Sequence, residues 1–388
     1  LLFPNCWKPL LKRSVMNAGI QKCRGFLANT NPAVENLRRK VTAEHAEFVT
    51  ITKFLSKDVS NDCDILCLDE CSTISNRDMV RVLQRAQCKL LVLVGDIYQI
   101  ESILFGNWFN IAYKVMPKDS VAELTRPHRT TVQGLIEVWN KVREITEDRL
   151  EFITRNGLSS TLDESIFSRT EEDEIVLCLN YDGIYGINNI NKFLQSNNVN
   201  PSINWGVLSY KVGDPVLFNE SNRFAPLVYN NLKGKILQIE EEEDCIYFTI
   251  EVYTVLNELD VIGFDLELKE SVTDETSVIR FKVGRGGDGN DDNDNVENVV
   301  PFQVAYAISI HKAQGLEYES VKVVITSEIE EMVSHNIFYT AITRAKSKLK
   351  IYWSPETEKR ILENMKVQFN DKDYQLFKAK YKEALLKS

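Results

Sequence analysis

Two adjacent carboxylates close an apolar run in DILCLDE, Asp64–Glu70, and they are the residues of this chain best suited to chemistry. A buried strand would deliver Asp69 and Glu70 at its C-terminal end, the edge where ligands sit in open α/β sheets. Mg²⁺ keeps several waters and takes one or two carboxylates together with phosphate oxygens. An adjacent Glu can orient an attacking water. The plain alternative is a strand followed by an ordinary acidic turn. A second apolar run, LLVLVGDIYQIESI, Leu90–Ile103, ends in Gly95-Asp96 with Gln99 just beyond. Two neighbouring strands ending in acidic loops, with an amide nearby, form a γ-phosphate sensor or else a second plain turn. Far downstream, AISIHKAQGLEY (Ala307–Tyr318) carries His311, and FYTAITRAKSKLKIYW (Phe338–Trp353) carries Arg344 in an expected short helix before a strand. An arginine aimed at a γ-phosphate stabilises the charge of phosphoryl transfer. Taken alone, Arg344 reads as a solvated arginine and His311 as a structural histidine.

The elements that must hold these residues alternate. Apolar runs at Gly25–Ala28, Phe48–Ile51, Ile65–Leu68 and Leu90–Val94 predict strands, with helical patterns at Ala33–Lys40 and Asp78–Gln87 between them. Short buried strands alternating with helices predict a parallel sheet in an α/β domain. A second set, Ile175–Leu179, Ser320–Ile325 and Lys348–Trp353, is interrupted by a block that alternates like hairpin strands. The block comprises Pro215–Asn219, Lys235–Ile239, Ile246–Tyr253, Val261–Leu268 and Val278–Val283. It predicts a small antiparallel barrel inserted into the second lobe. Residues 284–298 are rich in Gly, Asp and Asn and predict a surface loop. The tail from Ser354 opens with Ser-Pro, a helix-start signal.

With 388 residues and 44% hydrophobic content the chain can fill two or three cores. It has no apolar run of membrane-spanning length and no secretory signal, and its eight scattered cysteines fit a reducing cytosol. A cytoplasmic location is the expectation. The net charge of −10 argues weakly against nucleic acid, but the acid concentrates at Glu240–Asp244 and Asp288–Glu297, while the first 57 residues are locally basic. Cys63, Cys67 and Cys71 recur every four residues, yet a strand cysteine without a fourth ligand nearby reads as a small hydrophobe. Trp108, Phe109 and Tyr113 read as helix packing before base stacking. The Asp288–Glu297 loop lacks the pattern of a hand-type calcium site and reads as solvated.

In order, ANTNPAVENL (Ala28–Leu37), DILCLDE, VGDIYQI, ELTRPHRT (Glu123–Thr130), SIHKAQGLEY and YTAITRAK resemble successive motifs of superfamily 1 helicases. HKAQG with YTAITRAK is most similar to the RecD-like branch. The resemblance spans roughly residues 25–353. It implies two RecA-like parallel-sheet lobes with an inserted SH3-like β-barrel at about 210–285. The lobes would divide as 1–117 for the first, 118–209 and 299–353 for the two parts of the second, 210–298 for the insertion with its acidic loop, and 354–388 for a helical tail. The implied activity is an ATP-dependent translocase and helicase on single-stranded DNA, moving 5′ to 3′, with ATP and Mg²⁺ as cofactors.

The resemblance also implies roles. Asp69 would hold Mg²⁺ and Glu70, beside the metal, would be the general base. Gln99 would sense the γ-phosphate. Arg129 and Arg344 would be arginine fingers from the second lobe. Thr30, Asn31, Pro32, Thr50 and Thr52 would touch the strand from the first lobe, and Ser309, His311 and Lys312 from the second. Gly315 and Glu317 would face the nucleotide. One motif of such motors, the phosphate loop G-x-x-x-x-G-K-[ST], is not found: Gly19 and Gly25 do not fit it. Pro9–Ala18, read as a helix leading into the Gly25–Ala28 strand, places the expected loop just before Leu1, so the chain is expected to be part of a longer motor and to hydrolyse ATP poorly alone. Two rival readings remain: a nucleic-acid-binding or regulatory module without ATP turnover, and an RNA helicase of the same superfamily.

Overall fold

A computed structural model describes residues 24–41, 43, 45–56, 62–100, 106–124, 129–219, 223–225, 227–271, 273–285, 298–366 and 371–387. The expected helix at Pro9–Ala18 and the acidic loop at Asp288–Glu297 lie outside them. The chain divides into two compact units, one comprising residues 1–156, 333–347 and 359–388, the other 157–332 and 348–358. No helix among the described residues is long and apolar enough to cross a membrane.

The first unit opens with a parallel sheet of β1 (Arg24–Ala28), β2 (Ala46–Thr50), β3 (Asp62–Leu68) and β4 (Gln87–Leu93), in the order β2-β1-β3-β4. The apolar runs become strands because β1 and β3 are covered on both faces: Phe26, Ile65 and Cys67 enter one core, and Leu27, Leu66 and Leu68 the other. Helices α1 (Asn31–Lys40), α2 (Ile51–Leu55) and α3 (Asn76–Arg85) form the crossovers. Each begins at a hydroxyl cap. Thr30 accepts from the Ala33 N–H (3.4 Å), Thr50 from the Lys53 N–H (3.2 Å) and Ser75 from the Asp78 N–H (3.0 Å). The chain leaves β1 for β2 and then crosses back to β3, so the ends of β1 and β3 flank the switch point of the sheet, where α/β ligands bind. Helices α4 (Trp108–Val115), α5 (Gln133–Glu144) and α6 (Arg149–Arg155) follow, and α5 buries Leu135, Val138, Trp139 and Val142 along one stripe.

The second unit contains β5 (Ser159–Ser160), β6 (Glu174–Cys178), α7 (Ile187–Ser196) and a hairpin of β7 (Ser202–Trp205) with β8 (Leu208–Lys211). Next come β9 (Pro215–Phe218), β10 (Lys233–Glu241), β11 (Cys245–Val252), β12 (Glu267–Lys269), β13 (Ser277–Gly284) and β14 (Phe302–Val304). They form a six-stranded antiparallel sheet, β12-β13-β11-β10-β9-β14. In β11 every second residue is buried, the pattern of a half-solvated strand. Its inward ring, Phe248, builds an aromatic core with Phe218, Phe281, Phe302 and Tyr210. β15 (Ala307–Ser309), β16 (Tyr318–Val324) and β17 (Ala345–Tyr352) complete the second parallel sheet, β15-β6-β16-β17-β5. Asp214, fully buried, joins the two sheets of this unit by accepting from Gln195 Nε2 (2.6 Å), Asn198 Nδ2 (2.9 Å), the Lys211 N–H (2.9 Å) and the Tyr306 hydroxyl (2.8 Å). Helix α8 (His335–Ile342) precedes β17, and α9 (Pro355–Asn364) and α10 (Asp371–Lys387) end the chain.

The α/β class with two RecA-like parallel-sheet lobes is what the alternation and motif order predict. Two local expectations change. Val261–Leu268 is mostly turn, with Gly263 at φ +90°, and only Glu267–Lys269 pairs as a strand. Arg344 lies in the turn after α8 rather than inside the helix. The units also group residues differently from the sequence division: 118–156 and 333–347 join the unit of Asp69. The physical reason is packing between α5 and α8, where Trp139 Nε1 donates to the Ile342 carbonyl (3.0 Å) and His335 Nε2 meets the Val142 carbonyl (2.9 Å).

Candidate active site

Asp69 and Glu70 leave β3 in a turn that is stitched to both neighbouring strands. The Asp69 N–H donates to the Leu27 carbonyl (2.8 Å) and the Cys71 N–H to the Val94 carbonyl (2.8 Å). Asp69 Oδ1 accepts from the Glu70 N–H (2.9 Å), and the Glu70 carbonyl accepts from the Thr73 hydroxyl (2.8 Å). To make this turn Glu70 adopts φ 52°, ψ 41°, the left-handed region. That conformation costs a residue with a Cβ roughly 1–2 kcal/mol. Beside it the chain comes close at Gly95, where a Cβ would lie 2.8 Å from Phe109 Cε1 and 3.1 Å from the Cys71 nitrogen. Only glycine fits there.

The second acidic loop folds on itself. Asp96 accepts from the Tyr98 N–H (2.9 Å) through Oδ1 and from Gln99 Nε2 (3.3 Å) through Oδ2. Helix α8 holds its far side: Asn336 Nδ2 donates to the Gln99 carbonyl (3.0 Å), and the Ile100 N–H donates to the Thr340 hydroxyl (3.0 Å). Tyr98, His335 and Tyr339 pack their rings across this junction. Both expected fingers lie at the end of α8, where the last carbonyls of a helix lack intrahelical partners. Arg344 Nε donates to the Thr340 carbonyl (2.9 Å), and Arg129 Nη1 donates to the Thr343 carbonyl.

These groups feel one another's charge. Burial, followed by the Asp69 carboxylate beside it, raises the Glu70 carboxyl above its ordinary value, while Arg344 and Arg129 draw it down. Burial, and then the cation of Arg129, push the Arg344 guanidinium down to about 9, while Glu70, Asp96 and Tyr339 support its charge. Arg344 is 1% exposed and stays a cation at neutral pH. The structure therefore brings Asp69, Glu70, Gln99, Arg129 and Arg344 into one unit and adds Asp96, Asn336 and Thr340. Asp96 lies in VGDIYQI and Thr340 in YTAITRAK, while Asn336 falls two residues before Phe338; the motifs give Asn336 and Thr340 no role. Their signal is the four-residue spacing Asn336, Thr340, Arg344, which places them on one helical face.

Adjacent carboxylates at a strand end suit a hard cation that takes oxygen ligands and keeps waters and phosphate oxygens for the rest of its shell. The donor set thus fits Mg²⁺ held with a nucleotide. Among the described residues no group of three or more His, Cys, Asp or Glu side chains could hold a metal by itself. Cys63, Cys67 and Cys71 are buried in the core, and burial raises the Cys67 and Cys71 thiols. Trp108 donates from Nε1 to the Ile74 carbonyl (2.8 Å) and meets Phe109 edge-on, whereas Tyr113 is largely exposed.

Thr50 ends β2 and pairs with Ala28, the end of β1, and Thr30 stands two residues beyond Ala28. Thr30, Asn31 and Thr52 are exposed at the starts of α1 and α2, where free N–H groups favour anions; Pro32 lies in the first turn of α1. Ser309, His311, Lys312, Gly315 and Glu317 belong to the other unit, in the turn after β15. His311 is exposed, Ser309 is buried and accepts from the Lys312 N–H (3.2 Å), and Lys312 Nζ reaches Gln303 Oε1 (2.8 Å). Gly315 has φ +80°, and the Glu317 carbonyl accepts from Lys233 Nζ (3.1 Å). A cavity of about 470 Å³ in the same unit is lined by Asp173, Lys233, Lys235, Tyr253 and Tyr306. It lies at the opposite, N-terminal edge of that sheet and holds none of the expected site residues. Its charges already pair, Lys233 with Asp173 (2.6 Å) and Lys235 with Glu172.

Comparison with known proteins bears on the fold and the family. An AAA domain family matches residues 11–163, and a UvrD-like helicase C-terminal domain matches 304–352. An uncharacterized protein of Methanocaldococcus jannaschii is 24% identical over 354 residues, covering 76% of this chain and 29% of its own length. The RecBCD enzyme subunit RecD of Mycolicibacterium smegmatis is 22% identical over 336 residues, covering 79% of this chain and 52% of its own. The chain thus spans about half or less of these relatives. In fold it is similar to the Pif1 helicase of Candida albicans, with a TM-score of 0.51 and 16% identity over 93% of this chain and 92% of that one. Motif order and the two family matches agree with the resemblance to superfamily 1 helicases; the chain is similar in sequence to RecD and in fold to a Pif1 helicase.

Proposed function

We propose that this chain is the ATP-hydrolysing, strand-translocating part of a helicase acting on single-stranded DNA. The observation that carries the reading is the mutual charge of Glu70, Asp96, Arg129 and Arg344 around the end of β3. When bound, Mg-ATP supplies the transferable phosphoryl group. Asp69 would hold the metal. Glu70, its carboxyl above the ordinary range, would orient and deprotonate water, since a base works best with a pKa near the working pH. Gln99 would report the γ-phosphate. Arg129 and Arg344 would leave the carbonyls of α8 to meet charge developing on the phosphate, because a phosphate is a stronger partner for guanidinium than a carbonyl.

The strand would cross Thr30, Asn31, Pro32, Thr50 and Thr52 in one unit and Ser309, His311 and Lys312 in the other. Phosphate contacts from hydroxyls and helix starts position the polymer without reading its bases. Gly315 and Glu317 would face the nucleotide. The antiparallel sheet would act as an SH3-like block touching nucleic acid. At the β10–β11 turn, where acid is densest, Arg280 pairs with Glu240 (2.5 Å) and Arg285 with Glu241 (3.2 Å). The name RecBCD subunit RecD of one relative, and the name Pif1 helicase of the fold neighbour, support this assignment, and the family resemblance adds 5′ to 3′ movement.

The test is ATP hydrolysis by the complete natural protein, alone and with DNA or RNA homopolymers, together with unwinding of tailed duplexes. Stimulation by single-stranded DNA and unwinding from a 5′ tail are expected. Equal or greater stimulation by RNA would reassign the polymer, and no stimulation by either would overturn the proposal.

A further inference from the structure

We infer that Thr340, assisted by Asn336, is a positioning residue that ties the γ-phosphate sensor Gln99 to the arginine finger Arg344 through one face of α8. The inference rests on the hydrolytic reading of the site but makes a separate structural claim. Asn336, Thr340 and Arg344 recur every four residues, so their side chains project from one face of the helix and its C-terminal continuation. That face is turned toward the loop of Gln99. Asn336 Nδ2 donates to the Gln99 carbonyl (3.0 Å), and one turn later Thr340 Oγ1 accepts from the Ile100 N–H (3.0 Å). Thr340 and Ile100 are buried, at 0% and 7% exposure, so water does not compete for this bond.

Thr340 works in both directions. Its hydroxyl holds the sensor loop, and its carbonyl accepts from Arg344 Nε (2.9 Å) and from the Thr343 hydroxyl (3.1 Å). The amide of Gln99 reaches Asp96 on the other side (3.3 Å). Asp96 in turn supports the charge of Arg344. Sensor, carboxylate and finger are thereby linked, with Thr340 bonded to both loop and arginine. A shift of Gln99 on meeting phosphate must pull on the Ile100 N–H, and through Thr340 on the seat of Arg344. The finger's departure from the Thr340 carbonyl and the sensor's movement are thus coupled within one helical turn.

The test compares Thr340→Val, which keeps the shape and loses the hydroxyl, with Thr340→Ser, which keeps the hydroxyl, and with Asn336→Ala. Steady-state ATP hydrolysis with single-stranded DNA, hydrogen exchange of the Ile100 amide and thermal unfolding are measured on the complete natural protein. An orphaned buried donor is costly. Thr340→Val should therefore raise exchange at Ile100 about tenfold or more and cut kcat roughly 10- to 100-fold with little change in KM for ATP. Thr340→Ser should restore both, and Asn336→Ala should show a smaller change in the same sense. Unchanged exchange at Ile100 in a folded Thr340→Val protein, or a Thr340→Ser protein as impaired as Thr340→Val, would overturn the inference. Should Thr340→Val fail to fold, Asn336→Ala with unaltered exchange across 94–100 and unaltered kcat does the same. A wild-type protein without ATPase activity sinks the hydrolytic reading, while the exchange experiment still decides whether the tie exists.

Discussion

The turn after β3 and the turn after β15 solve the same problem in opposite ways. Each leaves the C-terminal end of a parallel strand and reverses through one residue in the left-handed region. After β15 that residue is Gly315, which occupies φ +80° without a steric cost. The turn is held by bonds of its own, the Lys312 N–H on the Ser309 hydroxyl, the Ala313 N–H on the Ser309 carbonyl (3.1 Å) and the Leu316 N–H on the Ala313 carbonyl (3.0 Å), and by one to an adjacent strand, the Ile310 N–H on the Cys178 carbonyl (3.0 Å). After β3 the residue is Glu70, strained at φ 52° and half-buried. That turn bonds to both adjacent strands rather than one, and its carboxyl feels the charges of Asp69 and two arginines. Strain and crowded charge persist only where the surroundings over-determine them, and they concentrate at functional sites. In the first turn strain and charge coincide; in the second a buried glycine takes the same conformation beside one exposed residue, His311.

The largest effect expected from this contrast concerns the arginines. Arg344→Ala and Arg129→Ala should each lower DNA-stimulated hydrolysis by about 10³–10⁵, the worth of an arginine finger, while circular dichroism shows the fold intact. A rate within a few-fold of wild type for either variant would reduce that arginine to a cap on α8. A His311→Ala variant, in the other turn, should leave unstimulated hydrolysis alone and weaken strand binding.

Next in size is Glu70→Gln, expected to bind Mg-ATP and lose roughly 10²–10⁴ in turnover, the usual worth of a positioned base. Its stability should also change with pH in a defined direction. The folded-state carboxyl of Glu70 is raised, so the native state holds that proton more tightly than the unfolded chain. The stabilisation is complete below the ordinary carboxylate range and is lost as pH rises through the raised value. Wild type should therefore lose ground to Glu70→Gln across that interval in urea titrations, and parallel curves would show that the carboxyl is not buried as described.

The smallest effects test the strain itself. Glu70→Gly relieves the left-handed conformation and should stabilise the protein by about 1 kcal/mol while abolishing turnover. Gly315→Ala introduces the same conformation and should destabilise it by about 1 kcal/mol. Shifts of the same sign in denaturant midpoint would erase the distinction between the two turns.

Much of the site was legible before the fold. DILCLDE announces a buried strand that ends in acid because an unbroken apolar run must stop where charge begins; the strand before VGDIYQI was expected buried but lies at the sheet edge, half-buried. Periodicity also located the helices near Ala33–Lys40 and Asp78–Gln87, whereas the short helix Ile51–Leu55 lies where only a strand end was expected. The strand expected at Val261–Leu268 was not formed, because alternation there competes with a glycine held at φ +90°. The hairpin of β7 and β8 carries too few residues for a period to show.

The order and type of residues along the chain determined the α/β class, the strands that carry Asp69 and Asp96, and the set of groups able to handle phosphate. Those properties depend on local periodicity and on side-chain chemistry, and both are written residue by residue. Tertiary structure alone decided that Glu70 is strained and its proton tightly held, that Arg129 and Arg344 share the carbonyls of one helix end, and that Thr340 grips a loop 240 residues earlier in the chain. Burial, and the electrostatic and hydrogen-bonding consequences of burial, depend on which distant segments come to surround a group, and no spacing within a motif carries that information.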